Sequence, residues 1–306
     1  MQDKAAIRAQ AERLFAQFQD AGALPVETAL LQPSEVLLDL YGEDIRARAY
    51  VTSDLDLGEQ MLRPDFTVPI VQSHMQDGAE PARYTYMGEV FRKQEAGSDR
   101  ASEFLQVGYE VFDRADPAAA DAEVFALFSA ALGDAPLRAS IGDIGILIAA
   151  VEGLDTSQAR RAALMRHIWR PARFRALLDR FAGRAPMPEG RAELTQALDG
   201  LDLDQIVQGA GPQIGLRRAA EVVTRLGALR DDMGVAPIPA GQIDAVNAIL
   251  NLTTSADHAA GSLADIAGQF PAIKAAAQGF AKRLNALKAR GVDVATLTYE
   301  LSLIHI

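Results

Sequence analysis

The chain has 306 residues, 49% of them hydrophobic and 23% charged, a balance typical of folded globular proteins. Its net charge of −11 argues against a nonspecific nucleic-acid binder, which needs basic surface to neutralise phosphates. It contains no cysteine, which excludes disulfides and thiolate metal sites. No apolar run is long enough for a membrane span and the N-terminus shows no signal-peptide pattern, so we expect a cytoplasmic protein without membrane contacts.

The N-terminal part of the chain predicts helices mixed with antiparallel strands. Ile7, Leu14 and Phe18 follow helical spacing, which predicts an amphipathic first helix. The segments "RARAYVTSD" and "GEQMLRP" predict a hairpin across the turn "LDLG". The next segment, "DFTVPIVQSHM", predicts a helix for which Thr67 is a candidate N-cap.

A longer strand pair is predicted between Tyr84 and Phe112, followed by a helix that Asp116 caps and Pro117 begins. "LRASIG" then predicts a short strand, and "DIGILIAAVEGL" a buried helix. This order of elements predicts the α+β class.

Composition changes after Gly153, where Ala, Leu and Arg become frequent and strand patterns end. We therefore predict three regions: a core over residues 1–152, a mainly helical insertion over 153–245, and a return to the core over 246–306. The last region should contain a long helix from "FPAIKAAAQGF" onward and a strand near "VDVATLTYE".

Polar residues and glycines collect on one face of the predicted strand pair, because side chains alternate with period two. The residues of that face are Tyr84, Tyr86, Gly88, Val90 and Arg92 on the first strand and Phe104, Gln106, Gly108, Glu110 and Phe112 on the second. The opposite face is apolar and is predicted to be core. Glycine within a strand often marks close approach by a ligand or another backbone.

Arg92, Gln106 and Glu110 would supply this face with a cation, an amide and a carboxylate, which suits a zwitterionic amino acid. The alternative is a hairpin with one hydrated face, which alternation by itself favours because antiparallel sheets often have one. A second polar group, Arg63, Asp65 and Thr67, lies in "MLRPDFTVPI". It is explained by a helix cap with a proline turn, and Asp65 is equally suited to bind an ammonium group.

Other chemistry-bearing motifs are missing or weak. The sequence has no GxxxxGK[ST], GxSxG or HExxH, and its four histidines lack metal-ligand spacing, so we predict neither a metal nor a cofactor. The basic segment "RRAALMRHIWRPARFR" has interleaved aromatics, which is compatible with a nucleic-acid patch. A solvated helix face explains it better, and we predict no nucleic-acid partner.

Two segments together resemble class II aminoacyl-tRNA synthetases of the histidyl type. The family's "LRPEGT"-like segment corresponds to "LRPDFT", and its motif 2 corresponds to "EVFR" followed by "EFLQVGYE". The order and spacing match over residues 55–112. The resemblance implies an antiparallel sheet flanked by helices, with the helical insertion named above.

The chain also departs from the synthetase pattern. Phe66 stands where the family has glycine, and a phenyl ring there should reshape the pocket. The hairpin loop "KQEAGSDRASE" lacks the excess of basic residues that holds ATP and tRNA in the synthetases. The histidine-binding "RGLDYY"-like segment, the later ATP-binding motif and the anticodon-binding domain have no counterpart.

The sequence is more similar to the regulatory subunits of short-form ATP phosphoribosyltransferases, which are paralogues of histidyl-tRNA synthetase. This resemblance implies no catalytic residues, a short catalytic subunit as partner, histidine as effector and self-association to a dimer or larger. Asp65, Thr67, Arg92, Gln106 and Glu110 match the histidine-like pocket by position. The alternatives are a histidyl-tRNA synthetase-like fragment that activates an amino acid with ATP, or a synthetase-like binding module serving another partner.

The C-terminal "LSLIHI" departs from the family pattern, which continues with further strands. One codon choice for these six residues reproduces the end of a common transposase sequencing adapter. We therefore expect a gene record truncated near Glu300, with the last six residues non-native and the late strands of the sheet missing.

Overall fold

The computed structural model describes residues 4–41, 44–133, 135–185, 189–198, 200–211 and 218–301. The chain divides into two units, Met1–Ala135 and Pro136–Ile306. In the first unit the helices are α1 (Lys4–Asp20), α2 (Ser34–Tyr41), α3 (Asp44–Arg48), α4 (Thr67–Asp77) and α5 (Pro117–Leu132), and the strands are β1 (Leu24–Pro25), β2 (Leu31–Pro33), β3 (Val51–Asp54), β4 (Gly58–Leu62), β5 (Ala82–Phe91) and β6 (Glu103–Phe112).

Both predicted hairpins of the first unit are confirmed. β3 and β4 pair antiparallel in a sheet of order β2-β4-β3, although the residues up to Arg48 belong to helix α3 and not to the strand. β5 and β6 pair antiparallel over their full length, with Gly88 opposite Gln106 and Tyr84 opposite Glu110. β1 joins this pair parallel to β5, which gives the order β1-β5-β6.

The β5–β6 hairpin is a layer with helices on both faces. On the predicted core face, Tyr109 packs with Phe18 of α1 and with α5, joined by Val107 and Val111. The Tyr109 hydroxyl donates to Glu123 of α5 at 2.7 Å, so this polar tip is satisfied inside the layer. The other face packs against α4, so it is covered by protein over much of its area and is not simply hydrated.

Helix α4 begins differently from the sequence prediction. Thr67 is its first residue and not the N-cap; the N-cap position is Phe66, whose side chain makes no capping hydrogen bond. The Thr67 hydroxyl instead donates to Glu110 across on β6. Thr67 therefore joins the start of the helix to the neighbouring strand and does not cap the helix.

The second unit is mostly helical. Its helices are α6 (Ile144–Glu152), α7 (Gln158–Met165), α8 (Pro171–Phe181), α9 (Glu189–Leu198), α10 (Leu203–Gly209), α11 (Ala219–Met233), α12 (Ala240–Asn251), α13 (Ala256–Gln269) and α14 (Lys274–Ala289), with 3-10 turns at Pro271–Ile273 and Val294–Thr296; its strands are β7 (Ser140–Ile141), β8 (Thr253–Ser255) and β9 (Thr298–Glu300). The strands form one small sheet of order β7-β9-β8.

The predicted helical character of residues 153–245 is confirmed over the part of that region that the structure describes. Helix α6 has the predicted buried face and is capped by Asp143, whose carboxylate accepts from the Gly145 amide at 2.8 Å and pairs with Arg283 at 3.0 Å. Because α6 packs against α12 and α14, it lies in the second unit. The three-region division with a boundary at 152 remains a prediction. Of the C-terminal "LSLIHI", residues 302–306 lie outside the described residues.

The crowded end of β7 yields a stability prediction. A Cβ at Gly142 would lie 2.3 Å from the carbonyl oxygen of Glu300, which the β7–β9 pairing holds in place. We expect Gly142→Ala to lower the free energy of unfolding by about 1–3 kcal/mol, the usual cost of overpacking. Gly261→Ala in α13 is the matched control, because nothing lies within 4 Å of its added methyl.

Urea unfolding measures both variants. Gly261→Ala should stabilise the protein by about 0.5–1 kcal/mol, the helix preference of alanine over glycine. If Gly142→Ala is as stable as the parent protein, the close approach at β7 is wrong.

Candidate functional site

Five side chains form a polar cluster where the start of α4 meets β5 and β6; we call Asp65, Thr67, Tyr86, Gln106 and Glu110 the polar cluster. Thr67 Oγ1 donates to Glu110 Oε1 at 2.8 Å. The Tyr86 hydroxyl lies near the side chains of Thr67, Gln106 and Glu110. The Gln106 Oε1 atom is buried and has no hydrogen-bond partner among the described residues. The cluster therefore presents an unused acceptor beside a carboxylate.

Burial and like charge act together on the cluster. Desolvation raises the pKa of Glu110, and the neighbouring charge of Asp65 raises it further, against hydrogen bonds from Thr67 and Tyr86 that lower it. Burial, followed by the charge of Glu110, raises the pKa of Tyr86 to about 12. The cluster is thus rich in acceptors and short of positive charge, so a bound ammonium group would offset the repulsion between the two carboxylates.

Arg92 places a cation at the edge of the polar cluster. It follows the last residue of β5, and its Nε donates to the carbonyl oxygen of Pro64 at 2.8 Å, one residue before Asp65. Its guanidinium lies 5.3 Å from the ring centroid of Phe104. The structure therefore brings all five sequence-predicted residues to the same face, four of them within the polar cluster and Arg92 beside it.

Phe66 fills the space beneath the polar cluster. Its side chain is 1% exposed, and its ring stacks on Tyr86 with centroids 4.3 Å apart and planes 12° apart. A Cβ at Gly88 would lie 2.9 Å from the Phe66 ring, and one at Gly108 would lie 2.1 Å from the Tyr86 hydroxyl. The close approach that these strand glycines indicate is therefore made by the chain's own Arg63, Phe66 and Tyr86 side chains.

Arg63 supports the ring from the side away from Tyr86. It is only 6% exposed; its Nε donates to the Glu89 carbonyl oxygen at 2.9 Å and its Nη1 to the Thr28 carbonyl oxygen at 2.6 Å. Its guanidinium lies 4.0 Å from the Phe66 ring centroid, and burial lowers its pKa. Arg63 thus has a structural role, which sequence reasoning missed because no local pattern shows the two backbone carbonyls that it binds.

His74 is a buried histidine of the first unit. It lies on α4 with its ring stacked on Phe112 at 3.9 Å, and its Nδ1 is 3.1 Å from the Tyr84 hydroxyl. Within the described ranges, no group of three or more His, Asp or Glu residues is arranged to hold a metal ion. No helix in the described part is both long and apolar enough to cross a bilayer.

The basic segment after residue 160 is not a uniformly solvated helix face. Arg160 is buried in an ion pair with Asp232, and Arg161 donates to the carbonyl oxygens of Leu154 and Thr156. Only part of the segment, including Trp169, is exposed. Its positive charge is divided between contacts inside the second unit and three exposed arginines, Arg166, Arg170 and Arg173.

Comparison with known proteins gives a matching family profile and close sequence relatives. A sequence profile described as histidyl-tRNA synthetase matches residues 2–244. ATP phosphoribosyltransferase regulatory subunits from Brucella ovis and Brucella canis are each 32% identical over 292 residues, which is 90% of this chain and 76% of theirs.

The same fold is found in solved structures. The chain aligns with an ATP phosphoribosyltransferase regulatory subunit/histidyl-tRNA synthetase from Bacillus halodurans with a TM-score of 0.64 and 18% identity, over 99% of this chain and 67% of the other. It aligns with histidyl-tRNA synthetase from Nostoc with a TM-score of 0.57 and 14% identity, over 98% and 57%. Both confirm the predicted class II synthetase-like α+β fold.

The raised pKa of Glu110 predicts a pH-dependent stability. A carboxyl whose folded pKa lies above its unfolded value of about 4.3 stabilises the fold while protonated, and that stability is lost as pH rises through the folded pKa. The glutamine side chain of Glu110→Gln is neutral at every pH, so that variant does not lose this stability as pH rises. Urea unfolding at about pH 4 and pH 7.5 should show the variant gaining stability relative to the parent protein as pH rises.

Glu103→Gln, at the exposed start of the same strand, is the control for removing one negative charge. An equal pH response in the two variants would show that burial of Glu110 is not its cause.

Proposed function

We propose a regulatory function from the premise that the chain belongs to the family of ATP phosphoribosyltransferase regulatory subunits. In this proposal it pairs with a short-form catalytic subunit, is required for full activity of that subunit, and conveys feedback by histidine on the first step of histidine biosynthesis. It supplies no catalytic residues and needs no cofactor. It acts in the cytoplasm, in a hetero-oligomer that contains two or more copies of this chain.

The polar cluster with Arg92 beside it is the observation that carries the ligand part of the proposal. Asp65 and Glu110 would receive the ammonium group of histidine, and the guanidinium of Arg92 its carboxylate. Gln106 Oε1, buried without a partner among the described residues, would accept one further hydrogen bond. Because the stacked rings of Phe66 and Tyr86 fill the space beneath the polar cluster, the ligand would lie above the rings and contact the polar cluster from the solvent side.

Regulation then requires that histidine bind one state of the complex more tightly than another. Such a preference couples the polar cluster to a distant active site on the partner. The start of α4 is the element through which this coupling would act, since Asp65, Phe66 and Thr67 are consecutive residues with contacts to both strands of the hairpin.

The alternative is an enzyme that activates an amino acid with ATP, which the histidyl-tRNA synthetase profile over residues 2–244 favours. The loop between β5 and β6 supports the regulatory proposal instead. Its Lys93 and Arg100 are offset by Glu95, Asp99 and Glu103, so it offers little net positive charge to a triphosphate or an RNA end.

Arg92→Ala is expected to weaken histidine binding by about 1.5–3 kcal/mol, the usual worth of a charge-assisted hydrogen bond, or roughly 10- to 150-fold. Isothermal titration calorimetry with histidine measures this. Arg100→Ala, an exposed arginine of the adjoining loop, is the matched control and should bind as the parent protein does. Undiminished affinity in Arg92→Ala would remove that residue from the site.

Reconstitution with a short-form catalytic subunit tests the regulatory role itself. We expect the two chains to co-purify, phosphoribosyl transfer to rise in the complex, and histidine to inhibit the complex of the parent protein but not that of Asp65→Asn. ATP–pyrophosphate exchange with histidine should be absent. Robust exchange by the chain alone would favour the enzyme alternative.

A further inference from the structure

A pocket in the second unit lies between α6, α8, the end of α12 and strands β8 and β9, and it has no part in the function proposed above. Its volume is about 200 Å³, several times the roughly 30 Å³ that one water molecule occupies in the liquid. Its wall is mostly apolar and is formed by Ile144, Leu147, Ile168, Phe174, Leu250 and Leu252. Such a wall favours a ligand with an apolar body, because that body replaces water that the wall holds poorly.

Arg175 places a cation on the wall of this pocket. Its Nη2 donates to the Asn251 Oδ1 atom at 2.8 Å and to the Leu250 carbonyl oxygen at 3.3 Å. These two contacts hold the guanidinium against the end of α12. The Nε and Nη1 atoms form no hydrogen bond with any described residue, so both remain donors for a bound carboxylate.

Glu300 places a carboxylate on the same pocket. It lies on β9 opposite Thr253 of β8, so both side chains project from the same face of the small sheet. The neighbouring Tyr299 points to the opposite face, where its ring packs edge-on against Phe280. Glu300 forms no ion pair with Arg175 or with any other described residue. The pocket therefore carries one cation and one anion that do not neutralise each other by contact.

We propose that this pocket binds an apolar α-amino acid of the size of leucine. The ligand's carboxylate accepts from Arg175, its ammonium group donates to Glu300, and its side chain contacts the apolar wall. The two charged groups of the lining sum to zero, which matches a zwitterion. A simple cation or a simple anion would leave one of the two protein charges without a partner, and that costs affinity.

Isothermal titration calorimetry of the full chain with leucine tests the site on the unaltered protein. Two analogues keep the apolar body and lose one charged group: isocaproate lacks the ammonium group, and isoamylamine lacks the carboxylate. We expect leucine to bind, and each analogue to bind at least about tenfold more weakly, the loss of one charge-assisted hydrogen bond. Valine has one methylene less and should bind about fourfold more weakly than leucine.

Two variants assign the charged groups of the ligand to residues. Glu300→Gln should bind leucine at least about tenfold more weakly and no longer prefer leucine to isocaproate, and Arg175→Ala should no longer prefer leucine to isoamylamine. Glu221→Gln and Arg173→Ala change exposed residues of α11 and α8 outside the pocket and are the matched controls. They should bind leucine as the parent protein does. Thermal unfolding without ligand checks that each variant is folded.

Failure of leucine to bind the parent protein would overturn the proposal, as would an analogue that binds as tightly as leucine. Equal leucine binding by Glu300→Gln and the parent protein, or an equal loss in the control variants, would overturn the site. Loss of leucine binding in Arg92→Ala would move leucine to the polar cluster and would overturn it as well. The histidine titration of Arg92→Ala described above does not depend on these results, so the two proposals fail separately.

Discussion

The stacking of Phe66 on Tyr86 is the contact on which the candidate site depends. The two rings lie 4.3 Å apart, and Arg63 covers the Phe66 ring while it binds the Glu89 and Thr28 carbonyl oxygens. Aromatic contacts of this kind contribute about 0.5–1.5 kcal/mol beyond the burial of their area. Because Asp65 and Thr67 flank Phe66, fixing its ring also fixes a carboxylate and a hydroxyl at the rim of the hairpin.

This packing has an electrostatic consequence. Covering the hairpin with α4 withdraws Glu110 and Tyr86 from water, which raises the pKa of both groups. Hydrogen bonds within the polar cluster replace part of the lost hydration, but the carboxylates of Asp65 and Glu110 still repel each other. A site in this condition gains from a cation and from a donor to Gln106, so the same burial that stabilises the hairpin makes the rim receptive to an ammonium group.

Arginine side chains occupy two different environments in this chain. Arg63 and Arg160 are buried and satisfied by backbone carbonyls or a carboxylate, so each stabilises the packing of its own unit. Arg92 is exposed at the edge of the polar cluster, where its Nε donates to the carbonyl oxygen of Pro64. Burial and partners, and not residue type, therefore distinguish the arginines that stabilise packing from the one that lies at the edge of the candidate site.

The sequence by itself determined the α+β class, both hairpins of the first unit and the helix cap at Asp116, because period, turn residues and motif spacing are local properties. It also named five candidate site residues, which the structure brings close together and whose role in binding stays a prediction. It misplaced the Thr67 hydroxyl, which it offered as a helix N-cap, and it left open what approaches Gly88 and Gly108. Only the tertiary structure showed that Phe66 and Tyr86 fill the space beside Gly88 and Gly108. A sequence shows where a side chain is missing, but it does not show which distant residue packs there. The internal ion pair of Arg160 was likewise decided by a partner 72 residues away.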